Sequence, residues 1–163
     1  MNSNNLSVAL VTGANGGMGR EVSVALLRSG FRVIVSCRPG NRGLDYYNLL
    51  RQEFGSDRVN YLDMDLSSEV SVRDAARRLL EKESRLEVLV NNAGMLGWKP
   101  EVNSQGYEMH NMVNCLGPMM FTWLMKPILG RGSRVVNTVS VMLRLGRIHP
   151  HFPYPSNKFN RFN

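Results

Sequence analysis

The sequence predicts an α/β fold in which a doubly wound parallel sheet carries helices on both faces, and three observations predict it. Short apolar runs rich in Val, Ile and Leu alternate along the chain with longer segments of helical period. The runs are continuously apolar, as strands covered on both faces are. Right-handed β-α-β crossovers then place helices on each side of the sheet.

The elements follow in order. Val8 to Val11 reads as a first strand, and from Gly17 the pattern turns helical, with Val22, Ala25, Leu26 and Ser29 on one face until Gly30 stops it. Phe31 to Ser36 is a second strand, closed by Pro39-Gly40, and a helix follows with Leu44, Tyr47, Leu50 and Phe54. Val59 to Leu62 is a third strand. Ser67 or Ser68 then caps a helix in which Val72, Ala75, Ala76, Leu79 and Leu80 share a face. Leu86 to Val90 is a fourth strand. Past Trp98 and Pro100, Met109, Met112, Val113, Leu116, Met120, Trp123 and Leu124 recur at spacings of three and four, which predicts one long, central helix. Arg134 to Val139 is a fifth strand, and from Arg144 to Asn163 no period is evident.

The whole chain, 163 residues, suits a single domain, 1–163, and its 43% hydrophobic and 20% charged residues exclude a disordered chain. A net charge of +7 favours anionic partners such as phosphates. Nucleic acid is not the expected one, because Arg131, Arg134, Arg144 and Arg147 are interrupted by apolar residues. Cys37 and Cys115 make neither a disulfide framework nor a zinc site, so an intracellular, reducing compartment, the cytoplasm, is expected. The N-terminus lacks the order of a signal peptide, and the apolar stretch Met119 to Leu129 falls short of a membrane span. His110, His149 and His151 come without an acidic cluster, and no metal site is expected.

The segment Thr12-Gly13-Ala14-Asn15-Gly16-Gly17-Met18-Gly19 lies between the first strand and the first helix. Glycines there permit a tight turn and close approach of backbone to a pyrophosphate, whose charge the helix N-terminus attracts. At the end of the second strand, Arg38 suits a ribose 2′-phosphate, where an acidic residue would suit a 2′-hydroxyl; Arg42 adds to the same field.

With Thr12, Gly13, Gly17 and Gly19 in that turn and Asn91-Asn92-Ala93-Gly94 closing the fourth strand, the chain resembles the short-chain dehydrogenase/reductase family. Ser36-Cys37-Arg38 makes it most similar to the retinol-dehydrogenase-like branch. The resemblance extends to about Val141 and implies a Rossmann-type fold, here incomplete at its C-terminal side, without the last strands and the substrate loop. It implies that Asp65 meets the adenine amino group and that the cofactor lies against Gly13, Asn15, Gly17, Met18, Gly19, Arg38, Asp65, Leu66, Asn92, Ala93 and Gly94. The cofactor implied is NADP(H) in preference to NAD(H).

The resemblance further implies an oxidoreductase that interconverts a small-molecule alcohol and a carbonyl. Its catalytic set would be Asn114, Ser140, Tyr154 and Lys158. Tyr154 would be the acid/base, Lys158 would lower its pKa, Ser140 would polarise the substrate oxygen and Asn114 would hold a relay water. Tyr154 and Lys158 have the family's Tyr-x-x-x-Lys spacing, but Pro153 and Pro155 flank the tyrosine and oppose a helix there, and a longer insertion in this branch would move the pair beyond Asn163. The competing reading is a non-catalytic nucleotide-binding or partner-binding fragment of the family. A homo-oligomer formed through the long Met-rich helix is a further expectation.

Overall fold

A computed structural model describes residues 6–97 and 101–140. Five strands, β1 (Val8–Thr12), β2 (Arg32–Cys37), β3 (Val59–Asp63), β4 (Val88–Asn91) and β5 (Arg134–Asn137), form one parallel sheet in the order β3-β2-β1-β4-β5. Between them run α1 (Gly17–Arg28), α2 (Asn41–Phe54) and α3 (Glu69–Leu80). A composite helix follows, made of α4 (Met109–Asn111), a π-helical segment (Met112–Leu116) and α5 (Gly117–Leu124). This is the predicted doubly wound α/β architecture.

The sheet divides two apolar cores. Val8 and Leu10 of β1 pack into one with Val72, Leu79, Phe121 and Met125 from the α3 and α5 side. Ala9 and Val11 pack into the other with Leu27, Tyr46 and Leu50 from α1 and α2. Both faces of β1 are therefore dry, which is why the strand reads as a continuous apolar run. Local caps match local chemistry. Ser68 accepts from the Ser71 N–H at the start of α3, and the Arg58 guanidinium donates to the carbonyls of Leu27 and Phe31 where α1 ends.

Several expectations change. Strand bounds shift by at most two residues. The buried stripe of α1 is Gly19, Ser23 and Leu27, in place of Val22, Ala25, Leu26 and Ser29. That of α2 is Gly43, Tyr46 and Leu50, while Leu44 is exposed. The α1 glycine meets the turn at Gly13 and Ala14 and the Asn92 side chain, and the α2 glycine meets Cys37 of β2 and Tyr61 of β3, so a larger residue would hold either helix away. On α3, Val72, Ala75, Ala76 and Leu79 are buried as expected, and Leu80 is half-buried. The long helix is interrupted by the π-helical segment, and its Trp123 is 71% exposed instead of packed. All residues of β5 are exposed, and among the described residues it is an edge strand. Tyr154 and Lys158 lie outside the described residues.

Candidate functional site

The chain reverses direction across the sheet at β1, whose neighbours β2 and β4 lead away on opposite sides. The C-terminal ends of strands open a crevice at such a point. A groove of about 800 Å³ lies there.

The Gly-rich turn forms its floor. Gly13 has φ 62°, and a Cβ on it would stand 2.8 Å from Ala93 Cα. At Gly19 a Cβ would stand 2.3 Å from the Gly13 carbonyl oxygen and 2.7 Å from Asn92 Nδ2, so only glycine fits. At Gly17 nothing lies within 4 Å, and the helix terminus faces open space. The N-cap of α1, Gly16, supplies no side-chain acceptor, and the first turn holds no acid. First-turn N–H groups of a helix lack intrahelical partners, and here they open toward the groove with their positive end of the dipole.

The opposite wall is tied to the floor through polar atoms. The Thr12 hydroxyl accepts from the Asn92 and Ala93 N–H groups, at 3.0 and 3.1 Å. The Asn92 amide donates to the carbonyls of Thr12 and Gly13, at 3.0 and 3.3 Å. Asn91, by contrast, turns to the α5–β5 side and donates to Thr122 Oγ1 and Asn137 Oδ1. Asn114 uses both ends of its amide on one residue: its oxygen accepts from Met95 N–H at 2.8 Å, and its nitrogen donates to Met95 O at 3.0 Å.

The groove brings together Gly13, Asn15, Gly17, Met18, Gly19, Arg38, Asp65, Leu66, Asn92, Ala93 and Gly94. Arg38 is exposed at the end of β2, and Arg42, in the first turn of α2, lines the same end. Beside them burial pushes the Cys37 thiol up. Asp65 follows β3, where its carboxylate accepts from Ser67 N–H at 2.9 Å and Ser67 Oγ at 2.7 Å; it braces the local turn as well as lining the groove. Met95, Val113 and Thr138 also line the groove and carry no motif by which the sequence would single them out.

Asn114 lines a second, shallower groove of about 560 Å³ between α5 and β5, which shares Ala93 and Thr138 with the first. Ser140 follows β5 and is exposed. The described residues thus place Asn114 beside the first groove. Among the described residues no group of three or more His, Cys, Asp or Glu is poised to hold a metal, and no helix is long and apolar enough to cross a membrane.

A parallel sheet with a glycine turn at its switch point and an Asn-Ala-Gly wall defines a dinucleotide-binding class of fold. The pattern of the short chain dehydrogenase family matches residues 7–160, and the chain belongs to that family. Polyprenol dehydrogenase of Mus musculus is 38% identical over 161 residues, covering 90% of this chain and 48% of that protein. Retinol dehydrogenase 11 of Homo sapiens is 38% identical over 146 residues, covering 88% of this chain and 46% of that protein. The branch is retinol-dehydrogenase-like, and the chain spans about half the length of these relatives. Among solved structures, a blue fluorescent protein from a metagenomic library, in complex with NADPH, superposes with a TM-score of 0.73 at 26% identity. That match covers 86% of this chain and 59% of the other. An active-site complex of RhlG with NADP from Pseudomonas aeruginosa gives 0.72 at 29% identity, covering 91% of this chain and 60% of that one.

Proposed function

We propose that the groove binds a nicotinamide dinucleotide, NADP(H) in preference to NAD(H), for an oxidoreductase that interconverts an alcohol and a carbonyl. The observation that carries this reading is the α1 terminus: an uncapped helix start reached through Gly13 and Gly19, neither of which has room for a Cβ. The residues fit a pyrophosphate there, because backbone N–H groups and the helix dipole meet its charge and no side chain blocks its approach. Arg38 and Arg42 at the β2 end suit a 2′-phosphate, which Arg grips with paired N–H donors. Both solved neighbours cited above hold an NADP-type nucleotide, and the curated relatives are named for alcohols, polyprenol and retinol.

When bound, the nicotinamide supplies or accepts the hydride. The chain's own residues would manage the proton. Tyr154 would give it to, or take it from, the substrate oxygen; Lys158 would lower the tyrosine's pKa; Ser140 would hold the oxygen. Asn114 would hold a relay water while its amide keeps Met95 in place.

Arg38→Asp tests the cofactor assignment in a binding titration. NADPH affinity should fall by about 10- to 100-fold, the worth of a charge-assisted hydrogen bond, while NADH affinity changes by less than about threefold. Equal losses for the two would remove the 2′-phosphate assignment.

A further inference from the structure

The segment leaving β4 is a wall of the groove, with Asn92, Ala93, Gly94 and Met95 facing it. Such a loop keeps its shape only where its backbone polar groups find partners. Asn114 supplies them at Met95. One turn earlier on the same composite helix, His110 supplies one at Gly97: the Gly97 N–H donates to Nε2 at 2.7 Å. A Cβ on Gly97 would stand 3.2 Å from that nitrogen, so the close approach suits glycine.

The contact defines the imidazole. Because Nε2 accepts, the proton of the neutral ring sits on Nδ1, which lies 2.6 Å from Glu108 Oε1. Glu108 is only 6% exposed, and its other oxygen accepts from the Asn111 N–H at 2.9 Å, where it caps α4. Its backbone is fixed too, since Glu108 pairs with Val102 in an antiparallel bridge and Met109 N–H donates to Glu101 O at 2.9 Å. The carboxylate is thus held at both ends and sets the orientation of the ring.

We propose that His110 is a positioning residue for the dinucleotide groove: oriented by Glu108, its Nε2 pins Gly97 and so holds the wall from Asn92 to Met95 in its binding shape. The proposal rests on the nucleotide-binding reading above. It assigns His110 a role with no metal and no proton transfer to substrate. It also makes Nε2, the acceptor, the atom that matters.

Three variants separate that atom from bulk and fold. His110→Ala loses the contacts to Gly97 and Glu108. His110→Asn can keep the donor to Glu108 but does not reach Gly97, whereas His110→Gln carries a carbonyl to about the Nε2 position. Two readouts are taken on each folded variant, amide hydrogen exchange at Gly97 and NADPH affinity. The Ala and Asn variants should exchange Gly97 faster and raise the NADPH Kd about tenfold, as loss of one partly buried hydrogen bond implies. The Gln variant should return both to within about threefold of the parent. If the Ala variant does not fold, the Asn and Gln variants make the same distinction. Unchanged exchange at Gly97 in the Asn variant overturns the pin, and faster exchange with unchanged NADPH affinity overturns the positioning role. A parent protein that binds no NADPH instead sinks the nucleotide reading, while the exchange series still decides whether His110 pins the loop.

Discussion

β1 and β5 are both short, Val-containing parallel strands, yet they occupy opposite physical regimes. No residue of β1 is more than 6% exposed, whereas every residue of β5 is exposed. The polar residues at their ends differ in the same way. Thr12 is buried and accepts from two backbone N–H groups across the switch point, while Asn137 is exposed and accepts from the Asn91 side chain. On the β1 side, polar atoms hold a groove rigid within a closed core; on the β5 side, apolar groups such as Trp123 and Val139 still face solvent. Precision belongs to the first region and an uncovered surface to the second, so substitutions should hurt unequally across them.

The largest contrast lies within one helix. Phe121 is fully buried and Trp123, two positions on, is 71% exposed. Phe121→Ala should cost about 3–5 kcal/mol of stability in urea unfolding, and Trp123→Ala less than about 0.5 kcal/mol. A comparable loss for both would mean that the α5–β5 face is covered in solution. Next is Thr12→Val, which keeps the shape and strands the Asn92 and Ala93 N–H groups. A loss of about 3 kcal/mol is expected, against at most about 1 kcal/mol for Asn137→Ala. Smaller again is the contrast inside the glycine turn. Gly19→Ala forces a Cβ against the Gly13 carbonyl and should cost about 2 kcal/mol, whereas Gly17→Ala meets open space and should be neutral or stabilising by up to about 1 kcal/mol. Thermal unfolding of the two variants side by side would show it, and equal midpoints would contradict the packing of that turn.

The strands were legible because strands buried on both faces leave continuous apolar runs, as Val8–Thr12 and Arg32–Cys37 do. A serine cap on α3 was legible for a local reason, and of the two candidates, Ser67 and Ser68, the structure uses Ser68, three residues before the N–H it accepts. Helix faces were not. In α1 the contact residues are Gly19 and Ser23, small groups that let the helix approach, and hydropathy ranks them below Val22 and Leu26 beside them. The π-helical segment was hidden as well, because Met109, Met112 and Leu116 satisfy an ordinary helical period while the backbone takes an extra residue.

The candidate site divides along the same line. The glycine turn and the Asn-Ala-Gly wall announce themselves as short contiguous motifs, so those parts of the groove could be named from the sequence, whereas Met95, Val113 and Thr138 could not. What could not be read is how the wall is held. Thr12 sits in the motif, but its two backbone partners lie about 80 positions away. His110 reads as a stray histidine until Gly97, 13 positions earlier, is brought against its ring. Such partners are set by topology, and a single sequence carries no local signal for them.

On the function proposed above, the dinucleotide goes to the β1 switch point and not to the α5–β5 face. The most direct test is a two-dimensional amide NMR titration of the 163-residue chain with NADPH. Saturable shifts are expected at Gly13, Asn15, Gly17, Met18 and Gly19, extending to Asn92, Ala93 and Gly94, with Trp123, Val135 and Val139 unmoved. Shifts confined to the α5–β5 residues, or none at all up to millimolar NADPH, would contradict that placement.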